Sequence, residues 1–160
     1  MIHIRKGTRL DATGAARLLN EIIAQGGTTA LTDSISDAEF WDWVGSDPDK
    51  SVWHVAEQDG AILGFQWVGP FEGLPPDALE IGTFVQIGQT GLGIGSKLFD
   101  ATRKAAKAMG YSWINADIRA DNEGGLIYYQ SRGFVDYGWI EDYPLNNGYV
   151  VDKVRKRFDL

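Results

Sequence analysis

The chain has 160 residues, 44% of them hydrophobic and 12% aromatic, which is enough to bury one core of ordinary size without disulfides or metals. It has no cysteine and two histidines, which excludes disulfides, thiolate metal ligands and a cysteine nucleophile, and makes metal chemistry and a histidine-based triad poor hypotheses. The formal net charge of −7 argues against a broad electrostatic contact with nucleic acid.

The first part of the chain is predicted to hold one short strand and two helices. Residues 2–5 form the strand, and Asp11 is expected to cap a helix that runs to about Gln25, because apolar residues recur on one face and Gly26-Gly27 follows. Ser36 and Glu39 have the spacing of a capping box and therefore predict a second helix.

The middle of the chain is predicted to be a meander followed by a long helix. Residues 52–57 and 61–68 are strands around the turn Gln58-Asp59-Gly60, which is a hairpin signal. Residues 79–87 form another strand, and the apolar stripe of residues 94–109 indicates a helix that ends at a glycine.

The last part is predicted to contribute three strands and one helix. Residues 113–119 are a strand, residues 122–131 a helix, and residues 134–140 and 149–156 the final two strands. The strand, crossover helix and strand over residues 79–119 should make its two strands parallel. The element order therefore predicts an α/β fold with a mixed sheet covered by helices.

A glycine-rich turn joins the third of the middle strands to the long helix. Its sequence, Gln89-Thr90-Gly91-Leu92-Gly93-Ile94-Gly95-Ser96, lets backbone N–H groups converge on an anion at a helix start. A Rossmann fingerprint is excluded because Ser96 stands where glycine or alanine is required, and a P-loop is excluded by the same residue. Taken alone, the turn fits a phosphate site or a flexible connection without a ligand.

A second motif follows the long helix and strengthens the first. Asn122, Gly125, the pair Tyr128-Tyr129 and Gly133-Phe134 stand in order about 30 residues downstream of the glycine turn. Together the two motifs resemble those of the GCN5-related N-acetyltransferase (GNAT) family, over nearly the whole chain. Gly93 and Gly95 fill the glycine positions of the family's acyl-CoA loop, whereas Thr90 occupies the position of its usual Gln or Arg.

The resemblance implies a fold and an activity. It implies one acetyltransferase domain over residues 1–160, with a mixed central sheet of about seven strands and about four flanking helices. It also implies transfer of the acetyl group of acetyl-CoA to a primary amine of a small or amino-acid-like acceptor, by direct attack in a ternary complex and without a metal. The alternative is a module that binds acyl-CoA without turnover and acts as a sensor or assembly part.

Two residues are candidates for proton transfer by the same resemblance. Tyr129 holds the position of the family's general acid, although it can also be read as a core aromatic. Glu80 corresponds to the glutamate that some members use as a base, and its apolar flanks can raise its pKa, but a solvent-facing strand end is an equal reading. Asp117 is the weaker competitor for the base.

The resemblance also assigns the residues that bind the cofactor. A backbone N–H near Phe84 or Val85 is expected to bind the thioester oxygen, and Asn122 the pantetheine arm, in addition to serving as a helix N-cap. The phosphate-binding set, acting mostly through backbone N–H groups, is Val85, Gln89, Thr90, Gly91, Leu92, Gly93, Ile94, Gly95 and Ser96.

Further expectations concern location and partners. The apolar runs are too short to span a bilayer and Met1 to Arg5 lacks a signal-peptide core, so a cytoplasmic protein without a membrane or nucleic-acid partner is expected. The family resemblance adds a homodimer as an expectation. A short likeness at residues 26–30 points to the phosphinothricin-acetyltransferase-like branch.

Overall fold

The computed structural model describes residues 1–89 and 92–160. In chain order the elements are β1 (His3–Lys6), a 3₁₀ turn (Arg9–Asp11), α1 (Ala12–Gln25), α2 (Asp37–Gly45), β2 (Val52–Gln58), β3 (Ala61–Gly69), β4 (Ala78–Val85), α3 (Ile94–Ala108), β5 (Trp113–Arg119), α4 (Glu123–Ser131), β6 (Val135–Pro144) and β7 (Val150–Asp159).

The predicted order of strands and helices is confirmed, and the differences lie at the ends of elements. The strand predicted over residues 79–87 ends at Val85, because Ile87 and Gly88 already turn and Gly88 has a φ of +87°. The strand predicted over residues 134–140 runs on to Pro144. Two register shifts in its pairing with β7 let β6 continue past the left-handed Asp142 (φ +52°).

The structure confirms the predicted side-chain cap of α2 but not that of α1. Ser36 Oγ accepts from the Glu39 N–H at 3.1 Å, and Glu39 Oε1 accepts from the Ser36 N–H at 3.1 Å, so this capping box is confirmed. Asp11 precedes α1 as expected, but its carboxylate does not cap that helix. It accepts instead from the Thr8 N–H at 2.8 Å and from the Arg5 guanidinium at 2.7 and 2.8 Å.

The seven strands lie in the order β1-β2-β3-β4-β5-β7-β6. All neighbours are antiparallel except β4 and β5, which the crossover through α3 makes parallel, as predicted. The mixed sheet and its four helices are the predicted architecture.

The helices cover the two faces of this sheet in pairs. On the first face α1 and α2 pack over an aromatic core that contains Phe40, Trp53 and Phe65. On the second face α3 and α4 pack over Leu79, Ile114 and their neighbours. Because side chains alternate along a strand, the even-numbered residues of β4 belong to the first face and the odd-numbered ones to the second.

A gap opens in the middle of the sheet, between β4 and β5. The two strands pair only over residues 78–80 and 113–115 and then separate. Beyond Glu80 the edge of β4 that faces β5 therefore has no strand partner in the part of the chain that the structure describes. Among residues 1–89 and 92–160, the structure has no helix with the length and apolar character needed to cross a bilayer.

Candidate active site

The backbone of β4 offers hydrogen-bond donors to the gap. The Gln86 N–H donates to the Leu63 carbonyl of the β3 side at 2.8 Å, and N–H groups alternate between the two edges of a strand. The N–H groups of Val85 and Thr83 consequently point into the gap, whereas that of Phe84 points to β3, where Phe84 is paired with Phe65. Of the two residues predicted to bind a thioester oxygen, the geometry thus favours Val85.

Tyr129 reaches the same gap from the second face. Its hydroxyl lies 2.7 Å from Thr83 Oγ1, so a side chain of α4, which packs on β5, contacts β4 across the opening. The residue is 8% exposed, and burial is the main cause that raises the pKa of its phenol above the ordinary value. At neutral pH this hydroxyl is therefore a proton donor.

Gln66 extends that contact into a hydrogen-bond network. Its amide nitrogen, in a fully buried side chain, donates to Thr83 Oγ1 at 2.8 Å and to the Tyr128 hydroxyl at 3.1 Å. Thr83 Oγ1 accepts from Gln66 and can donate its own hydrogen to Tyr129. In that arrangement the hydrogen of the Tyr129 hydroxyl remains available to the gap.

Tyr128 lies beside Tyr129 and performs a different task. Its hydroxyl donates to the Gly95 carbonyl at 2.7 Å, and a Cβ placed on Gly95 would lie 2.6 Å from the Tyr128 ring. Burial raises the pKa of Tyr128 to about 12, so it stays a neutral donor. The glycine at position 95 is thus required for packing against Tyr128, where the sequence suggested close approach of a ligand.

Glu80 lies on the first face, at the point where β4 and β5 separate. Asn115 Nδ2 donates to its Oε1 at 2.8 Å. Burial, followed by the nearby charge of Asp117, raises the pKa of Glu80 to about 8, against the smaller opposing effect of the Asn115 hydrogen bond. A carboxyl group with this pKa can exchange a proton near neutral pH, and the solvent-facing alternative does not describe it.

Asp117, the weaker candidate for a base, is engaged by other groups. Its Oδ1 accepts from Arg155 Nε at 2.9 Å and from Asn115 Nδ2 at 3.0 Å. The carboxylate is thereby held in an ion pair with a permanent cation. Asp117 is therefore better placed to put a negative charge beside Glu80 than to accept a proton.

The start of α3 has the features of an anion site. Gly93 precedes the helix with a φ of +73°, a left-handed conformation that favours glycine, and its carbonyl accepts from the Lys97 N–H at 3.0 Å. The N–H groups of Ile94, Gly95 and Ser96 belong to the first turn and have no helical partner, and no acidic residue stands there.

The remaining residues of the predicted phosphate set lie around this helix start. Leu92 is exposed immediately before Gly93, and Gln89 closes a turn by donating its N–H to the Gln86 carbonyl at 3.0 Å. Thr90 and Gly91, which were also assigned to this set, lie outside the described residues.

Arg132 is a cation at this helix start that the sequence did not single out. It follows α4, and its Nη1 donates to Ser96 Oγ in the first turn of α3. Its buried Nε has no hydrogen-bond partner among the residues that the structure describes. A guanidinium beside a helix N-terminus is well placed for a phosphate.

Asn122 is the N-cap of α4, as predicted. Its Oδ1 accepts from the Gly125 N–H at 3.0 Å, while its Nδ2 donates to the Thr28 carbonyl at 3.0 Å. It therefore ties the connection between α1 and α2 to the end of β5. Contact with a pantetheine arm remains a prediction for this residue.

Polar and aromatic side chains line the first face from Glu80 towards β6 and β7, and we call this surface the polar cleft. The connection between α1 and α2 borders it, because Arg119 Nη1 donates to the Thr29 carbonyl at 3.1 Å. The Tyr137 hydroxyl donates to Asn115 Oδ1, and the Lys153 ammonium lies over the Tyr143 ring. Nowhere in residues 1–89 and 92–160 do three His, Cys, Asp or Glu side chains come together as metal ligands would.

Four residues of this site were absent from the sequence-based set: Gln66, Thr83, Arg132 and Lys153. Thr83 was readable in principle, because it lies two residues before Val85 and so shares its face of β4. The others come from distant positions of the chain, and only the fold brings them to the gap or the cleft.

The sequence matches the acetyltransferase (GNAT) family over residues 17–134. Among curated proteins, phosphinothricin N-acetyltransferase of Streptomyces viridochromogenes is 24% identical over 139 residues, which span 86% of this chain and 76% of that protein.

Solved structures share the fold. An N-acetyltransferase from Staphylococcus aureus superposes with a TM-score of 0.89 at 24% identity, over 99% of this chain and 98% of that one. A GNAT superfamily phosphinothricin acetyltransferase from Sinorhizobium meliloti, solved in complex with acetyl-CoA, gives a TM-score of 0.87 at 18% identity, over 99% and 88% of the two chains.

Proposed function

This chain belongs to the acetyltransferase (GNAT) family, and on that premise we propose that it transfers the acetyl group of acetyl-CoA to the primary amine of a small, amino-acid-like molecule within a ternary complex. The observation that carries the proposal is the placement of Glu80 and Tyr129 on opposite faces of the same gap. An acetyl transfer to an amine needs a proton acceptor on one side of the reacting carbonyl and a proton donor on the other.

The donor substrate fits the residues around the gap and the start of α3. The free N–H groups of Ile94, Gly95 and Ser96, with Arg132 beside them, suit the phosphates of acetyl-CoA, and the unpaired edge of β4 suits its pantetheine arm as an added strand. When bound, acetyl-CoA supplies a thioester, an activated acyl group. Residues 1–160 act in this proposal as one acetyltransferase domain.

Glu80 is the proposed base. A primary amine with a pKa near ~10 is almost wholly protonated at neutral pH and cannot attack until it loses a proton. The Glu80 carboxylate on the first face accepts that proton, directly or through a water. The pKa of about 8 keeps a usable fraction of carboxylate at neutral pH and makes it a stronger base than an exposed glutamate.

Val85 and Tyr129 act on the other charges that develop. The Val85 N–H, which points into the gap, donates to the carbonyl oxygen as negative charge grows on it. Tyr129 gives its proton to the departing thiolate from the second face. Donation from Gln66 to Thr83 and from Thr83 to Tyr129 polarises that phenol and so assists the transfer.

The acceptor class rests on the relatives and on the cleft together. The Streptomyces relative is named for phosphinothricin, and the polar cleft beside Glu80 is lined by charged and aromatic side chains. These features favour a small zwitterion over a protein or nucleic acid as the acceptor.

Release of free thiol from acetyl-CoA tests the proposal. The assay covers a panel of amino acids, small amines and aminoglycosides, beside calorimetric titration of acetyl-CoA. Turnover that falls in both Glu80→Gln and Tyr129→Phe, with acetyl-CoA still bound, supports the assignment. Tight binding without turnover on any amine supports the alternative, a sensor or assembly module, and absence of binding contradicts both.

A further inference from the structure

Lys153 of β7 is a buried cation in the polar cleft of the first face. It is 8% exposed, and its position opposite Arg119 in the register places it on the same face as Asp117 and Asn115. The ammonium lies 3.5 Å from the centre of the Tyr143 ring. That ring covers one side of the ammonium and leaves its other donors for further partners.

The other basic residues of β7 each have a carboxylate. Lys156 pairs with Asp136, Arg155 with Asp117 at 2.9 Å, and Arg157 with Asp159 at 2.8 Å. For Lys153, residues 1–89 and 92–160 supply no carboxylate within 4.0 Å and no hydrogen-bond acceptor. A lysine this deeply buried is normally paired, since an isolated charge is costly to remove from water.

The pKa of Lys153 is lowered, mainly by burial, and the charges around it act in opposite directions. Burial lowers its pKa and Arg155 lowers it further, whereas Asp117 of β5 and Glu80 of β4 raise it. Arg119, the cross-strand neighbour, is itself paired with Asp121 at 2.8 Å. Both carboxylates that favour the charge are occupied elsewhere, Asp117 by Arg155 and Glu80 by Asn115.

We propose that the Lys153 ammonium binds an anionic group of the acceptor, a carboxylate or a group of similar charge, while the acceptor amine lies at Glu80. This inference rests on the proposed acetyltransferase function and adds to it the residue that recognises the negative charge of the acceptor. Lys153 is then a determinant of acceptor specificity, and Tyr143 holds its ammonium in place.

The register supports a two-ended acceptor. Glu80 is opposite Asn115, and Lys153 is opposite Arg119, four residues further along β5. Four residues of a strand span about 13 Å, and β4 and β7 lie on opposite edges of β5, which adds about 10 Å across the sheet. The long lysine and glutamate side chains reduce this separation. The two charged groups therefore contact different ends of one small molecule. The acceptors to be tested therefore carry the carboxylate either close to the amine or distant from it.

Kinetics with matched acceptors measure the contribution of Lys153. L-methionine and L-methioninamide differ at the α-carboxylate, and L-glutamate and L-glutamine at the distal one. In one of these pairs the carboxylate that differs should contact Lys153. For that pair, the ratio of kcat/KM with the acid to kcat/KM with the amide should fall about 10-fold or more in Lys153→Met, mainly through KM. Lys153→Arg should retain part of the preference. Lys156→Met, on the other face of β7, is the matched control and should leave the ratio unchanged.

A binding measurement decides the inference without turnover. The ¹³Cε signal of Lys153, assigned by its loss in Lys153→Met, is followed while the four compounds are added, with and without CoA. A shift with one of the acids that its amide does not produce supports the inference. Equal responses to acid and amide, or an acid preference that survives in Lys153→Met, would overturn it. Failure of thiol release with every amine would count against the proposed function alone.

Discussion

Thr83 Oγ1 and Tyr129 Oη lie 2.7 Å apart and join β4 to α4 across the gap in the sheet. The contact places a phenol over the opening where β4 and β5 separate. It also connects that phenol, through Thr83, to the buried amide of Gln66.

Tyr129→Phe removes the proposed proton donor without changing the ring. We expect kcat to fall by about 10²-fold, the lower end of what a positioned proton donor contributes, while the Kd for acetyl-CoA changes by less than about 2-fold. Steady-state thiol release and calorimetry measure the two quantities. Tyr128→Phe is the neighbouring control, and an equal loss of kcat there would remove the special role of Tyr129.

Thr83→Val tests whether the hydroxyl of Thr83 assists proton transfer by Tyr129. The substitution keeps the shape but leaves the Gln66 amide and the Tyr129 hydroxyl without their shared partner, so we expect kcat to fall by about 10-fold. Thr83→Ser restores a hydroxyl and should recover most of the rate. If the valine and serine variants lose the same rate, the hydroxyl of Thr83 has no part in proton transfer.

Glu80→Gln should change the pH profile. In the wild type kcat/KM should rise with pH through the Glu80 pKa of about 8, because the carboxylate is the active form. The variant lacks that rise, so the ratio of wild-type to variant rates should be largest above pH 8 and shrink below pH 6. An acceptor of known amine pKa separates its own titration from that of the enzyme. Parallel profiles would assign the base role to another group.

The pH dependence of the stability of Glu80→Gln is an independent test of the raised Glu80 pKa. The folded-state pKa of Glu80, about 8, exceeds the ordinary value of 4.5, so between these values the folded state binds more protons than the unfolded state. Wild-type stability therefore falls as the pH rises through this window. The melting temperature of Glu80→Gln, relative to that of the wild type, should therefore rise by several degrees from pH 5 to pH 9. A constant difference would mean that Glu80 titrates at its ordinary pKa.

Gly95→Ala should destabilise the fold through Tyr128. The added Cβ would lie 2.6 Å from that ring, and overpacking of this kind costs about 1–3 kcal/mol. Combining it with Tyr128→Leu, which removes the opposing ring atoms, should recover about 1 kcal/mol relative to the sum of the single changes, as measured by urea unfolding.

Gly93→Ala is the matched control for the combination of Gly95→Ala with Tyr128→Leu. Its Cβ would meet no atom within 4 Å, but the φ of +73° makes an alanine costly at this position. Tyr128→Leu should therefore not rescue it. Additive behaviour of Gly95→Ala with Tyr128→Leu would refute the packing explanation.

Local signals were sufficient for much of the fold. The capping box of Ser36 and Glu39, the left-handed Asp59 and Gly60 of the hairpin turn, and the N-cap Asn122 all act within a few residues, so the sequence alone predicted them. The Asp11 carboxylate was misassigned because its partner Arg5 is a tertiary neighbour that competes with the helix start.

The site was less predictable because it is assembled between elements. Tyr129 and Glu80 stood in recognisable motifs, yet no local pattern ties Thr83 or Gln66 to Tyr129. Lys153 belongs to a run of basic residues on β7, and only the tertiary structure shows that, unlike Arg155 and Lys156, it has no carboxylate partner within the described part of the chain.

The alternation along β4 gives the two substrates separate sets of side chains on one strand. Glu80 and Gly82 face the side proposed for the acceptor, whereas Thr83 and the Val85 N–H serve the side and edge proposed for the donor. Substitutions at the even-numbered positions of β4 other than Glu80 can accordingly redirect the enzyme to new amines while the thioester chemistry is inherited unchanged. Directed evolution of acceptor preference has its natural starting library at those positions.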